Sequence, residues 1–144
     1  LLHESQRNHK HSELFSRVLG FALKEKAQAL KPFNIIEFEP VRSGGDDSYI
    51  NLEGWAYGNK NYVVNVWFSN GSYQVLFYTF FGEECESDVI SILTALSFEP
   101  IDSHPEADIY AEYKGGYLFK TLTSEKTHEV LDSLCLKLRG LINE

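Results

Sequence analysis

His9 and His11 stand in His-x-His spacing, which on an extended segment turns both imidazoles the same way and would hold a metal ion given a third ligand. Residues 1–11 around them are polar, rich in His and Lys and without an apolar period, so they read as a flexible leader and no metal is expected. His104 lies beside Pro105, and His128 has Glu125 and Asp132 within helical reach, the pairing a general base would use. No Ser or Cys sits in a turn where such a base would activate it. Cys85 is enclosed by Glu83, Glu84 and Glu86, whose charges disfavour a thiolate, and Cys135 falls on an apolar helical stripe. Ser43-Gly44-Gly45-Asp46-Asp47 lacks the Lys and the following helix of a phosphate loop, and its aspartates would repel an anion. The acidic run Glu83 to Asp88 lacks the spaced oxygen ligands and central Gly of a calcium loop. The chain is therefore expected to be non-catalytic and to carry no cofactor.

Charge is the more informative feature. Thirteen basic and 21 acidic residues leave a net charge of −8, opposite to the balance of a nucleic-acid-binding domain. The acids are concentrated: nine lie between Glu83 and Tyr113 and no Lys or Arg interrupts them. Glu83, Glu84, Glu86, Asp88, Glu99, Asp102, Glu106 and Asp108 thus form a candidate surface for a basic protein. Part of this charge also has a structural use, because acids ahead of a helix complement its dipole. At 144 residues the chain has the length of one domain, able to bury roughly two thirds of its unfolded surface without staples. Two cysteines define no disulfide framework, no apolar run approaches the length of a membrane span, and residues 1–7 do not read as a signal peptide, so a cytoplasmic protein is expected.

The elements that must position these acids are organised by one hairpin. Asn70-Gly71 separates two β-branched and aromatic runs, the strongest short-range signal for a two-residue type I′ turn. Counting outward pairs Ser69 with Ser72, Phe68 with Tyr73, Val66 with Val75, Val64 with Phe77 and Tyr62 with Thr79, giving one greasy face. The other face pairs Trp67 with Gln74, Asn65 with Leu76 and Val63 with Tyr78. A preceding strand over 49–57 extends the sheet; a three-residue turn over Gly58-Asn59-Lys60 pairs Ile50, Leu52, Gly54 and Ala56 with Phe68, Val66, Val64 and Tyr62. That register keeps Glu53 out of the core and leaves Trp55 on the second face. A face with so many aromatics is commonly covered by a helix; left exposed, Trp55, Trp67, Tyr78, Asn65 and Gln74 make a second candidate partner surface, of aromatic and amide character. It carries no positive charge to accompany stacking on single-stranded nucleic acid.

Flanking patterns complete the reading. A helix starts at Ser12 and ends at Pro32, and a strand over 33–39 has Ile36 and Phe38 on one side. A short helix begins near Ser87, residues 98–107 with Pro100 and Pro105 form a connector, and a hairpin around Gly115-Gly116 joins 109–113 to 117–122. Ser124 caps a last helix whose apolar stripe runs from Val130 to Ile142. The order α-β-β-β-β-α-β-β-α predicts an α+β fold, an antiparallel sheet (a four-strand meander plus a hairpin) packed by helices in a single domain over residues 12–144.

A small acidic domain of this kind suits a protein-binding inhibitor, such as an immunity protein that covers the basic active site of a nuclease toxin. The element order also resembles that of type III secretion chaperones, small acidic α+β dimers, with one additional early strand; that resemblance implies a homodimeric adaptor where the inhibitor reading needs only a monomer. A third reading makes the aromatic face a pocket for a small ligand or an enzyme site, with Glu53 as its acid.

Overall fold

The computed structural model describes residues 27–39, 49–69, 71–80, 82–102 and 116–142. Six strands form one antiparallel sheet: β1 (Asn34–Glu39), β2 (Tyr49–Tyr57), β3 (Lys60–Ser69), β4 (Ser72–Thr79), β5 (Glu99–Ile101) and β6 (Gly116–Thr121). They lie in the order β1-β2-β3-β4-β6-β5. Among the described residues two helices, α1 (Ser87–Ala95) and α2 (Ser124–Ile142), and a 3-10 turn over Ala27–Leu30 accompany the sheet. The fold is α+β with the expected four-strand meander. The expected leader over 1–11 and most of the expected first helix lie outside the described residues, as does the expected strand over 109–113.

The central hairpin has the register counted from its turn, from Ser69↔Ser72 through Val64↔Phe77 to Tyr62↔Thr79. The register of β2 on β3 differs from expectation. Tyr57 pairs with Lys60, so Gly58-Asn59 is a two-residue turn, and both residues hold positive φ, 60° and 66°. That geometry belongs to type I′, whose twist suits a hairpin. Leu52 nevertheless pairs with Val64 and Trp55 with Tyr62, so β2 advances three residues while β3 advances two. The extra residue is a β-bulge at Glu53-Gly54, with Gly54 at φ 101°.

The bulge resolves a conflict that neither regular register removes. Without it, the parity of a strand sends either the Ile50-Leu52 pair or the Trp55-Tyr57 pair away from the core. With it, Ile50 and Leu52 are fully buried, Trp55 is 4% exposed, and all three join one core. Trp55 is thus corrected from the second face to the first. Its ring packs edge-on to Phe33 at 5.8 Å, against Tyr62 at 4.8 Å and stacked on Tyr57 at 5.4 Å between centroids. A second register shift, between Ile35 and Glu37, aligns Ile35 with Leu52 and Phe38 with Ile50, in place of the expected Ile36 and Phe38 pairing of faces.

The helices complete this core. Val89 and Leu93 of α1 and Val130, Leu131, Leu134, Cys135 and Leu138 of α2 are buried in the same cluster as Val64, Val66, Val75 and Phe77. Thr123 rather than Ser124 caps α2: its hydroxyl accepts from the Lys126 N–H at 3.2 Å. At the other end the Arg139 guanidinium donates to the carbonyls of Ala29 and Lys31 at 3.0 and 2.6 Å, tying α2 to the 3-10 turn. Glu99-Pro100-Ile101, expected as a connector, is an edge strand on β6. An edge position tolerates Pro100, because the missing N–H costs no ladder bond there.

Two glycines give opposite expectations. Gly54→Ala places a Cβ at left-handed φ and within 2.7 Å of Asn34 Nδ2, and should destabilise by about 1–2 kcal/mol. Gly140→Ala, in α2 with nothing within 4 Å, should stabilise by about 0.5 kcal/mol. Urea unfolding of the two variants measures both signs.

Candidate functional site

The acidic segment is anchored to the β2–β3 turn. Tyr62, fully buried, accepts a hydrogen bond from the Glu86 N–H at 3.0 Å. Tyr57 donates its hydroxyl proton to Asp88. Lys60 pairs with Glu86 at 3.3 Å, and Gly58 lies so close to the Glu86 side chain that a Cβ there would fall 2.6 Å from Oε1. Thr79 donates to the Glu83 carbonyl at 2.7 Å. The two-residue β2–β3 turn makes this possible, because pairing Tyr57 with Lys60 sets Tyr57 on the same face as Tyr62.

These contacts divide the expected acidic surface. Glu86 is the N-cap residue of α1 and Asp88 lies in its first turn, where negative charge complements the helix dipole. Both are half-buried and already engaged by Lys60 and Tyr57. Glu83, Glu84, Glu99 and Asp102 are exposed. Glu106 and Asp108 lie outside the described residues. Four of the eight carboxylates are thus both described and exposed.

Between them lies a cleft of about 230 Å³, lined by Tyr78, Thr79, Gly82, Glu83, Glu84, Cys85, Pro100, Ile101, Gly116 and Tyr117. Glu99 and Asp102 bracket the Pro100-Ile101 wall. No Lys or Arg occurs among the described lining residues. Burial pushes the Cys85 thiol up to about 11, against a smaller pull from Lys60, which disfavours the thiolate. Burial likewise raises the Tyr117 phenol, and Cys85 and Glu84 add to the effect. A second recess of about 440 Å³ carries Lys120 beside Glu99 and so presents both signs of charge.

The expected aromatic surface is largely interior. Besides Trp55, now in the core, Trp67 is 7% and Gln74 5% exposed, and their neighbours Val63 and Leu76 are buried. Asn65 and Tyr78 are half-buried, and Asn65 donates to Asn51 at 3.0 Å, which donates to Glu53 at 3.1 Å. The two asparagines are thus linked to each other and to Glu53 along the sheet, and Gln74 donates to the Ser72 hydroxyl at 3.3 Å.

The chain matches no protein-family model, no curated protein and no solved structure. Function therefore rests on the geometry of the chain's own residues. Among the described residues no group of three His, Cys, Asp or Glu side chains is placed to hold a metal ion, and no helix is long and apolar enough to cross a membrane. His9, His11, His104 and the loop 43–47 lie outside the described residues; His128 is half-buried on α2. Sequence reasoning missed Tyr57, Lys60, Tyr62 and Tyr117 as parts of the site. The signal for the first three was the Gly58-Asn59 pair, two residues that tolerate positive φ, together with the isolated Gly54 inside a strand.

The Tyr62 anchor has a pH signature. Burial raises its phenol to about 12, outweighing the Glu86 N–H that favours the phenolate. A raised pKa means that the neutral form is preferred in the folded state, so its contribution is intact below the unfolded value near 10 and is lost as pH rises toward 12. Tyr62→Phe should lower stability at pH 8 by about 1 kcal/mol through the lost acceptor. It should also flatten the stability loss above pH 10, as read by urea midpoints across the alkaline range.

Proposed function

We propose that this chain is a non-catalytic acidic protein-binding module of the inhibitor or immunity type, engaging a basic protein partner such as a nuclease toxin. The observation that carries the reading is the division of the acidic segment. Glu86 and Asp88 are held by the β2–β3 hairpin, while Glu83 and Glu84 stand exposed at a cleft whose described lining holds no cation. An acidic segment needed only to start α1 would be served by Glu86 and Asp88 at the helix N-terminus. The two exposed glutamates have no such role, and their unbalanced field favours encounter with a positively charged surface.

The test is a salt and charge-reversal experiment on partner capture. Immobilised chain should retain a basic protein from extracts of its source cells at low salt and release it at about 0.5 M salt, where the Debye length is roughly 4–5 Å. Glu83→Lys/Glu84→Lys should weaken capture of that purified protein at least tenfold and flatten its salt dependence. An affinity unchanged by the reversal contradicts the proposal.

A further inference from the structure

We infer that the cleft between the diverging ends of β4 and β6 seats a single arginine side chain of the basic partner. This rests on the binding-module reading above and adds the inserted group to it.

The cleft arises from strand topology. β4 and β6 pair from Tyr73↔Thr121 to Phe77↔Tyr117 and no further, while Gly116 pairs with Ile101 of β5. Tyr78 and Thr79 continue β4 beyond the last of these pairs and line the cleft together with Pro100, Ile101, Gly116 and Tyr117 of the β5–β6 pair. The segment Gly82 to Cys85 forms another wall, held by the Thr79 hydroxyl on the Glu83 carbonyl. At about 230 Å³ the space fits one long side chain rather than a folded element.

The lining selects the chemistry of that side chain. Glu83 and Glu84 repel an anion and attract a cation, whereas Tyr78 and Tyr117 supply aromatic surface, which attracts a cation through the ring face. A lone divalent metal is poorly served, since no set of three ligating side chains converges among the described residues. Between the two long cationic side chains, arginine fits better. Its planar guanidinium stacks on a ring while donating to carboxylates, and it is less strongly hydrated than the lysine ammonium. A phenol is neutral at physiological pH, so Tyr117 adds no third negative charge to the cleft.

The test uses hexaarginine and hexalysine peptides, equal in charge, titrated separately into the full chain at low salt, with affinities and backbone amide shifts read by NMR. Hexaarginine should bind about tenfold tighter and should shift residues 78–85 and 116–117. Glu84→Gln, an exposed substitution that leaves packing untouched, should weaken hexaarginine binding several-fold. Tyr117→Leu should remove the preference for arginine while leaving hexalysine affinity in place. Equal affinities for the two peptides, both lost in Glu83→Lys/Glu84→Lys, would overturn the arginine seat and leave the acidic-surface reading standing. Shifts confined to residues away from the cleft would also overturn it. Binding of neither peptide would count against both.

Discussion

The β-bulge at Gly54 is the constraint on which the rest of the structure depends. A strand alternates faces without exception, and β2 carries two apolar pairs, Ile50-Leu52 and Trp55-Tyr57, that are out of phase with each other. One inserted residue at positive φ brings both into the same core. Several consequences follow from that single shift. Trp55 packs against Phe33 and Tyr62 at the heart of the aromatic cluster, and Tyr62 in turn lies 5.3 Å from Phe77. The β2–β3 turn, by pairing Tyr57 with Lys60, sets Tyr57 on that same face, where it meets Asp88 of α1. Glu53 stays half-exposed, beside Asn51, instead of entering the core.

The tyrosines on either side of the β2–β3 turn then determine what the acidic segment can do. A run of carboxylates between a strand and a helix would repel itself if free. Here the Glu86 backbone is held by Tyr62, its side chain by Lys60, and Asp88 by Tyr57. Two charges are absorbed by the protein and by the α1 dipole, and two, Glu83 and Glu84, are presented outward over Cys85. The partition arises from the position of the β2–β3 turn rather than from the number of acids. It turns a charge cluster into a cleft with a defined floor, two tyrosines and an edge strand for its walls.

The parts of the fold that were legible in the sequence are those governed by local rules. Asn70-Gly71 sets a two-residue turn, and every pair of the central hairpin then follows by counting. Val89, Leu93, Val130, Leu134 and Leu138 announce their burial by helical spacing. Bulges escape such counting, because a strand interrupted by one extra residue looks like a choice between two regular registers. That ambiguity put Trp55 on the wrong face, while the burial of Trp67 and Gln74 decides between the covered and exposed readings of that face in favour of the covered one. β5 escaped because Pro100 argues against a strand unless the strand lies at an edge, a fact of topology rather than of sequence. The acidic segment was visible as composition. Which of its carboxylates are engaged was not, since Lys60 and Glu86, 26 positions apart, meet only through the folded sheet.

The central claim is that Tyr62 holds the acidic segment in place through the Glu86 amide. Native-state hydrogen exchange at that amide, compared between the natural chain and Tyr62→Phe, tests it most directly. The account predicts that the Glu86 N–H is protected in the natural chain and loses its protection selectively in the variant, while amides of the central hairpin such as Val64 and Val75 keep theirs. Exchange of the Glu86 N–H at the rate of an open loop in the natural chain, or identical protection in both proteins, would contradict it.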